Sequence, residues 1–225
     1  MFSSLIKGSV LSLTLAILIT GCGDDNAKEV IPAEYEVKIS NLTNFQPLSP
    51  VGLIFNEGEG FFKIGSPASL ALEKLAEGGD NSDLLSTGST SASTSAPILP
   101  GETAMLMISK GTGDLKFSAF SMLVNTNDAF TGINAYDLKD LQTGDSLVID
   151  ANAYDAGTEA NSEAAGSMPG PADGGEGFNG ARDDVNSVRM HMGVITKDDG
   201  LSSSVLTEQA KFDNAVMRLS IKRIR

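Results

Sequence analysis

Residues 35–42 read YEVKISNL, in which the apolar side chains of Tyr35, Val37 and Ile39 alternate with polar ones. Such alternation is typical of a β-strand that buries one face and exposes the other. Further segments have strand character, namely VGLIFN (51–56), TAMLMIS (103–109), LKFSAFSMLV (115–124), SLVIDA (146–151), SVRMHMGVI (187–195) and AVMRLSIKRI (215–224). Short strands with turn-rich stretches between them predict an all-β fold, an antiparallel β-sandwich.

One segment departs from the strand pattern. PASLALEKLAEGG, residues 67–79, begins with Pro67, has helically spaced apolar residues and ends with two glycines, as a short amphipathic helix does. Residues 78–101 are rich in Ser and Thr, which predicts a mobile loop, and residues 156–184 are rich in Gly, Ala and acid, which predicts a long surface excursion. The sequence therefore predicts one β-sandwich domain, residues 34–225, with one short helix and two long loops.

The N-terminal segment carries one cation, Lys7, followed by an apolar run that is short for a membrane span. This pattern is typical of a secretory signal peptide, here residues 1–21. Its end, Ile-Thr-Gly-Cys, resembles the lipobox of bacterial lipoproteins, which implies that Cys22 is lipidated and begins the mature chain. The alternative is a plain secretory signal followed by an incidental Cys. Residues 22–33 are polar and predict a tether between the membrane and the domain.

The lipobox resemblance implies a protein held at the cell envelope through the lipid on Cys22. Acyl chains on one residue anchor a protein firmly, because each buried methylene contributes about 0.8 kcal/mol. Gly23 follows the Cys where an Asp would otherwise stand, which resembles lipoproteins sent to the outer membrane of Gram-negative bacteria. The sequence leaves open whether the domain faces the periplasm or the outside.

The net charge of the chain limits the classes of partner that it can bind. Its formal net charge is −13 at pH 7, and such a surface repels nucleic acid and anionic lipid. Only one Cys is present, so no intramolecular disulfide can form, although an exported protein could have used one. The fold must therefore be held by its core, by calcium, or by both.

The residues that enzymes use are scarce. His191 is the only histidine, no Gly-x-Ser-x-Gly elbow occurs, and the serines concentrate in residues 78–101. One His and no Cys ligand cannot assemble a zinc site of the usual kind. Asp128 and Asp155 resemble the carboxylate pair of a glycosidase, but the chain has no Trp to form a sugar platform. We therefore predict that the protein is not an enzyme and keep a carboxylate-based hydrolase as the weaker alternative.

Acidic residues follow two of the predicted strands. Asp128 lies in NTNDAFTG (125–132), just past one strand, while Asp150 and Asp155 lie at and just past the strand SLVIDA. Calcium takes six to eight oxygen ligands from carboxylates, carbonyls and water. Carboxylates gathered at one end of a sandwich would repel one another strongly without a cation between them. The alternative is that these residues are turn formers whose side chains cap local backbone amides.

Four motifs together resemble the spondin domain, the N-terminal module of F-spondin and mindin, which also occurs in bacterial secreted proteins. They are MLVNTNDAFTG, DANAYDAGTE, LAEGG and the final strand NAVMRLSIKRI. The similarity extends from about Tyr35 to Ile224. Its sharpest parts are the Asp-Ala-Gly-Thr of residues 155–158 and the Asp-x-Phe-x-Gly of residues 128–132.

The spondin resemblance implies a β-sandwich similar to calcium-dependent phospholipid-binding domains, with one Ca²⁺ at its loop end. Carried over by position, the ligands are Asp128, Asp155, Asp150 and a carbonyl near Ala151. Two departures weaken the match. Ala129 stands where animal members have Trp, and the segment TAMLMIS lacks the ligand Glu that those members carry on an earlier strand.

These observations predict a lipid-anchored, calcium-binding adhesion or ligand-binding module of the cell envelope. Its expected partners are the membrane, through Cys22, and an extracellular glycan or protein, and nucleic acid is not among them. The alternative of a different class is a structural envelope lipoprotein without a metal site, in which Asp128 and Asp155 are solvated turn residues.

Overall fold

Ten strands form two antiparallel sheets in the computed structural model, which describes residues 31–225. The strands are β1 (Glu34–Asn41), β2 (Gly52–Asn56), β3 (Thr90–Ser93), β4 (Thr103–Ser109), β5 (Lys116–Met122), β6 (Ala129–Tyr136), β7 (Ser146–Ala151), β8 (Ala153–Asp155), β9 (Arg189–Met190) and β10 (Met217–Arg223). The helices are α1 (Leu70–Gly78) and α2 (Ser82–Leu85), with single 3₁₀ turns at Lys197–Asp199 and Glu208–Ala210. The prediction of an all-β sandwich is confirmed.

The smaller sheet has the strand order β4-β1-β10-β7. β1 is central, and its residues Tyr35, Val37 and Ile39 are buried while the residues between them are more exposed. The alternation seen in the sequence is thus the pleat of a strand with one face on the core. β10 pairs along the whole length of β1, from Tyr35 opposite Arg223 to Asn41 opposite Met217.

The larger sheet has the strand order β3-β2-β5-β6-β8-β9 and is covered on both faces. One face packs on the smaller sheet through a core that includes Phe55 and Phe117, and the other packs on α1 through a second core that includes Phe120 and Phe130. Because both faces are buried, β5 is almost continuously buried along its length.

Helix α1 confirms the helix predicted for residues 67–79. Ser69 caps the N-terminus of the helix by accepting a hydrogen bond from the Leu72 amide. The chain leaves the helix at Gly79, where φ is +68°. Leu72, Leu75 and Ala76 face the larger sheet and are fully buried. The helix thereby fixes one residue of the site described below, Glu77 in its last turn.

Several segments differ from their predicted form. Residues 78–101 contain α2 and β3, because β3 pairs with the edge of β2. Of the strand predicted over residues 187–195, only Arg189–Met190 pairs, since its partner β8 is three residues long. The excursion predicted for residues 156–184 is confirmed as a stretch without helix or strand.

The predicted signal peptide (1–21), Cys22 and most of the predicted tether (22–33) lie outside the described residues. Within residues 31–225 no helix has both the length and the apolar character needed to cross a bilayer.

Candidate functional site

Asp128 lies at the end of the turn that joins β5 to β6, and its side chain is fully buried. Its Oδ2 accepts hydrogen bonds from the backbone amides of Thr158 (2.8 Å) and Glu159 (3.1 Å) and from the Thr158 hydroxyl (3.3 Å). Its Oδ1 is buried without any hydrogen-bond donor. An anionic oxygen left in this state costs free energy unless a proton or a cation satisfies it.

The remaining polar residues of this turn hold distant segments in place. Asn125 accepts a hydrogen bond from the Ala172 amide (3.0 Å), and Asn127 donates to Glu159 Oε1 (3.0 Å) and to Ser167. Only Thr126 caps the turn locally, through the Ala129 amide. The turn therefore fastens residues 158–172 beside Asp128, which is a larger role than local capping.

Asp155 ends β8 and lies next to Asp128 across the sheet. It is directly opposite Ala129, and the amide of the following Ala156 donates to the Asp128 carbonyl (3.2 Å). Both oxygens of Asp155 are occupied: Oδ1 accepts from the Gly157 amide (2.8 Å), and Oδ2 accepts from Asn161 (2.7 Å) and Arg189 (3.0 Å). The structure thus brings together Asp128 and Asp155, and gives Asp155 a cationic partner of its own.

Asp150 and Ala151 lie on the other sheet. Asp150 faces solvent on β7 and binds the opposite residue of β10, Arg218, through two hydrogen bonds of 2.6 and 2.7 Å. The Ala151 carbonyl accepts the Val216 amide (2.9 Å). The chain passes from the smaller to the larger sheet between β7 and β8, so the structure does not bring Asp150 to Asp128.

Two further carboxylates adjoin Asp128, and together the three form the acidic cluster (Glu77, Asp128 and Glu159). Glu77 is buried in the last turn of α1, where its Oε2 accepts the Asn179 amide (2.9 Å) and its Oε1 has no donor. The Thr158 hydroxyl links the members, since it bonds to Asp128 and lies close enough to the Glu77 carboxyl to lower its pKa. Glu159 follows directly in the chain.

Glu77 is not predicted from the sequence, although its segment LAEGG carries part of the spondin resemblance. The available signal was its helical position. Glu77 falls one residue after the buried Ala76 and four after the buried Glu73, at the edge of the apolar face of α1. Helical spacing alone does not distinguish such a residue from an exposed Glu.

Burial dominates the electrostatics of the acidic cluster, and neighbouring negative charges add to its effect. Burial, followed by the nearby charge of Asp155, raises the pKa of Asp128 to about 7. Burial also raises the pKa of Glu159 to about 7, with Glu77, Asp128 and Asp183 adding to the effect. The pKa of Glu77 is raised as well, chiefly by burial. All three carboxyls would release their protons more readily if a cation stood among them.

The cluster can act chemically as a set of hard oxygen donors. Within residues 31–225, no three Asp, Glu, His or Cys side chains converge as a ready-made metal site. Asp128 and Glu77 each have one buried carboxylate oxygen without a hydrogen-bond donor, and the Thr158 hydroxyl bonds the other oxygen of Asp128. Calcium commonly completes such a partial set with carbonyl oxygens and water.

His191 is buried against Phe212, and its Nδ1 accepts a hydrogen bond from the Gly193 amide (3.0 Å). Its Nε2 therefore carries the proton, and that atom has no partner. Burial lowers the pKa of this imidazole. None of its hydrogen bonds in the described chain involves a serine or carboxylate, as a nucleophile-base pair would require.

Neither the models of known protein families nor the curated proteins contain a match to this chain.

Proposed function

We propose that this protein is a calcium-binding β-sandwich module whose ion lies at the acidic cluster. The observation that carries the proposal is the pair of buried, donorless carboxylate oxygens, Asp128 Oδ1 and Glu77 Oε1. Buried carboxylate oxygens are normally paired, and two unpaired ones on carboxyls that share the Thr158 hydroxyl as a neighbour fit a cation better than they fit a dry void. Oxygen donors of this hardness select Ca²⁺ over softer metals.

The residues that would hold the ion are Asp128 and Glu77, with the Thr158 hydroxyl beside them, and Glu159 would add negative charge nearby. Asp155 contributes negative charge from the adjacent strand end. When bound, calcium supplies positive charge that offsets the repulsion among these carboxylates. The residues themselves connect three parts of the fold: α1 through Glu77, the turn before β6 through Asp128, and the excursion after β8 through Thr158 and Glu159.

The proposed role of the ion is structural, and the module is proposed to be non-catalytic. Asp128 is fully buried, so a substrate could not reach the carboxyl whose raised pKa would otherwise suit a general acid. The ordered excursion of residues 156–184 would instead present a binding surface. The partner class we propose is an extracellular glycan or protein, as the spondin resemblance implies.

The proposed location is the cell envelope, at the outer membrane, to which the mature chain is tied by Cys22. The lipobox resemblance, the apolar run before it and the polar tether after it support this location. The chain has a net charge of −13 and is repelled by anionic lipid, so a tether that keeps the domain away from the membrane surface is consistent with this location. This part of the proposal rests on the sequence, because Cys22 lies outside the described residues.

Thermal melts of the purified chain with calcium and with chelator test the proposal. For an extracellular module we expect a dissociation constant of about 0.1–1 mM. At 2 mM calcium and the tighter value, mass action adds about 1.8 kcal/mol, which raises Tm by about 4–7 °C. Asp128→Asn and Glu77→Gln should abolish the rise, while Asp150→Asn, a carboxylate change on the other sheet, should leave it intact. A midpoint that calcium does not move would contradict the proposal.

One observation favours a second candidate, a structural envelope lipoprotein without metal. The pKa of Asp128 is raised to about 7, so a proton on Oδ1 could replace a cation near neutral pH. This candidate predicts that Asp128→Asn stabilises or leaves unchanged the chain at pH 7 and that calcium has no effect on either form. The same melts therefore distinguish the two candidates.

A further inference from the structure

Arg189 is the cation nearest to the strand end that carries Asp155. It occupies β9 directly opposite Asp155 on β8, and its Nη2 donates to Asp155 Oδ2 (3.0 Å) and to Asp184 Oδ2 (2.5 Å). The two carboxylates are 3% and 15% exposed, whereas the Arg189 side chain is 38% exposed. Arg189 therefore reaches inward from the surface to neutralise a buried acid.

The position of Asp155 gives this contact a wider effect. Asp155 is paired across the sheet with Ala129, the neighbour of Asp128. The two segments remain hydrogen-bonded one residue further, where the Ala156 amide donates to the Asp128 carbonyl. A charge placed on or removed from Asp155 is therefore felt at the acidic cluster, through buried surroundings that screen it weakly.

We infer that Arg189 is an internal counter-ion that sets the calcium affinity of the acidic cluster by neutralising Asp155. The inference rests on the calcium site proposed above. With Arg189 present, part of the negative charge of Asp155 is neutralised, and its Oδ2 is occupied. Without it, Asp155 Oδ2 keeps only the Asn161 amide as a donor, and its full charge attracts the divalent ion.

The inference and a purely architectural role for Arg189 predict opposite signs. An arginine that only holds β9 against β8 would loosen the site when removed, so calcium would bind more weakly. An internal counter-ion lowers the affinity while it is present, so its removal strengthens binding even if the metal-free chain becomes less stable. The sign of the change in the dissociation constant separates the two roles.

Arg218 provides a matched control. It also pairs with a cross-strand Asp, Asp150, but on the exposed face of the smaller sheet. Arg218→Gln changes the net charge of the chain by the same amount as Arg189→Gln. Any difference between the two variants therefore reflects the place of the charge and not the total charge.

The test is calorimetric titration of calcium chloride into the full-length chain and its variants at fixed ionic strength. Arg189→Gln should lower the dissociation constant on the order of tenfold, as loss of a unit charge near a divalent ion implies. Arg189→Lys, which keeps the charge, and Arg218→Gln should both stay within about threefold of the parent chain, the range expected of a surface charge. An affinity of Arg189→Gln equal to or weaker than that of the parent would overturn the inference.

A second variant keeps the test decisive if Arg189→Gln does not fold. Asp184→Asn removes the other acid that Arg189 contacts, so the guanidinium is left to Asp155 and calcium should bind more weakly. An unchanged or tighter affinity of Asp184→Asn would then reject the counter-ion role. If the parent chain and every variant give no calcium heat, the calcium site itself is wrong. If the parent chain binds calcium but the affinities of the variants do not follow the predicted order, the calcium site is supported and the role given to Arg189 is wrong.

Discussion

At the level of single residues, the carboxyl of Asp128 has the most unusual hydrogen bonding among the residues of the candidate site. Asp128 accepts three hydrogen bonds on one oxygen and none on the other. The sequence predicted that Asp128 and Asp155 belong together, and the paired strands β6 and β8 do bring them together. It could not predict that Asp155 already has Arg189 as a partner, because the two residues are far apart in the chain.

Glu163, which is not a member of the acidic cluster, should make the free energy of unfolding depend on pH. Its Oε1 accepts the Ile195 amide (3.2 Å), its Oε2 has no partner, and burial raises the pKa of the carboxyl above its ordinary 4.5. The folded state thus holds this proton more tightly than the unfolded state does. The corresponding stability is present below pH 4.5 and is lost as the pH rises through the folded pKa.

Urea unfolding of the chain between pH 4.5 and pH 8 would measure this dependence. Glu163→Gln, which cannot titrate, should reduce the fall in unfolding free energy over that range. Glu176→Gln, a change of the same type at an exposed position, should leave the fall as it is in the parent chain. Equal slopes in all three proteins would contradict the role given to Glu163.

At the scale of elements, α1 and the excursion after β8 hold each other. Arg182 donates to both oxygens of the buried Glu73 (3.1 and 2.6 Å) and to the Ala68 carbonyl (2.9 Å), and Asn179 binds Glu77 one turn further along the helix. A coil of this length would be mobile without such contacts. The acidic cluster is consequently a junction between a helix and a segment without regular structure.

Removal of Arg182 should loosen that junction. Arg182→Ala leaves Glu73 as a buried, unpaired charge, and we expect a loss of about 2–3 kcal/mol in unfolding free energy, since Arg182 itself is partly exposed. The double variant with Glu73→Gln should recover part of this loss. Urea unfolding measures both, and limited proteolysis should show earlier cleavage within residues 170–183 of Arg182→Ala. A single variant as stable as the parent would show that the pair does not hold the excursion.

The strand β2 offers a test of packing in the larger sheet. A Cβ at Gly52 would lie 2.2 Å from the ring of Phe120, so Gly52→Ala should cost about 1–3 kcal/mol through overpacking. At Gly58 the nearest atom to a new Cβ is 3.6 Å away, so Gly58→Ala should be close to neutral. Chemical denaturation of both variants checks the contrast, and equal stabilities would argue against the close approach of β2 and β5.

The elements also show what the sequence could and could not predict. Strands of the smaller sheet, such as β1, have one buried face and were found from alternation. β6 is buried on both faces over most of its length, so it lacks alternation and was missed. Residues 187–195 alternate, yet the strand ends at Met190 because β8 offers no further partner. Asp150 and Asp155 are five positions apart, but the crossover between sheets that separates them leaves no local signal.

At the scale of the whole molecule, the proposal is a single sandwich domain held near a membrane by one lipid-bearing residue. Cys22→Ser should move the protein from the membrane fraction to the soluble fraction, because the proposed anchor would supply the membrane affinity of a chain whose net charge is −13. Immunoblots of fractionated cells measure this. Continued association of the Cys22→Ser chain with membranes would contradict the anchoring hypothesis.

We propose that a calcium ion belongs to the acidic cluster, where α1, the turn before β6 and the excursion after β8 meet. Calorimetric titration of calcium into the parent chain and into Asp128→Asn tests it most directly. We expect one ion bound per parent chain, with a dissociation constant of about 0.1–1 mM, and no binding by the variant. Absence of binding by the parent, or equal binding by the two proteins, would contradict it.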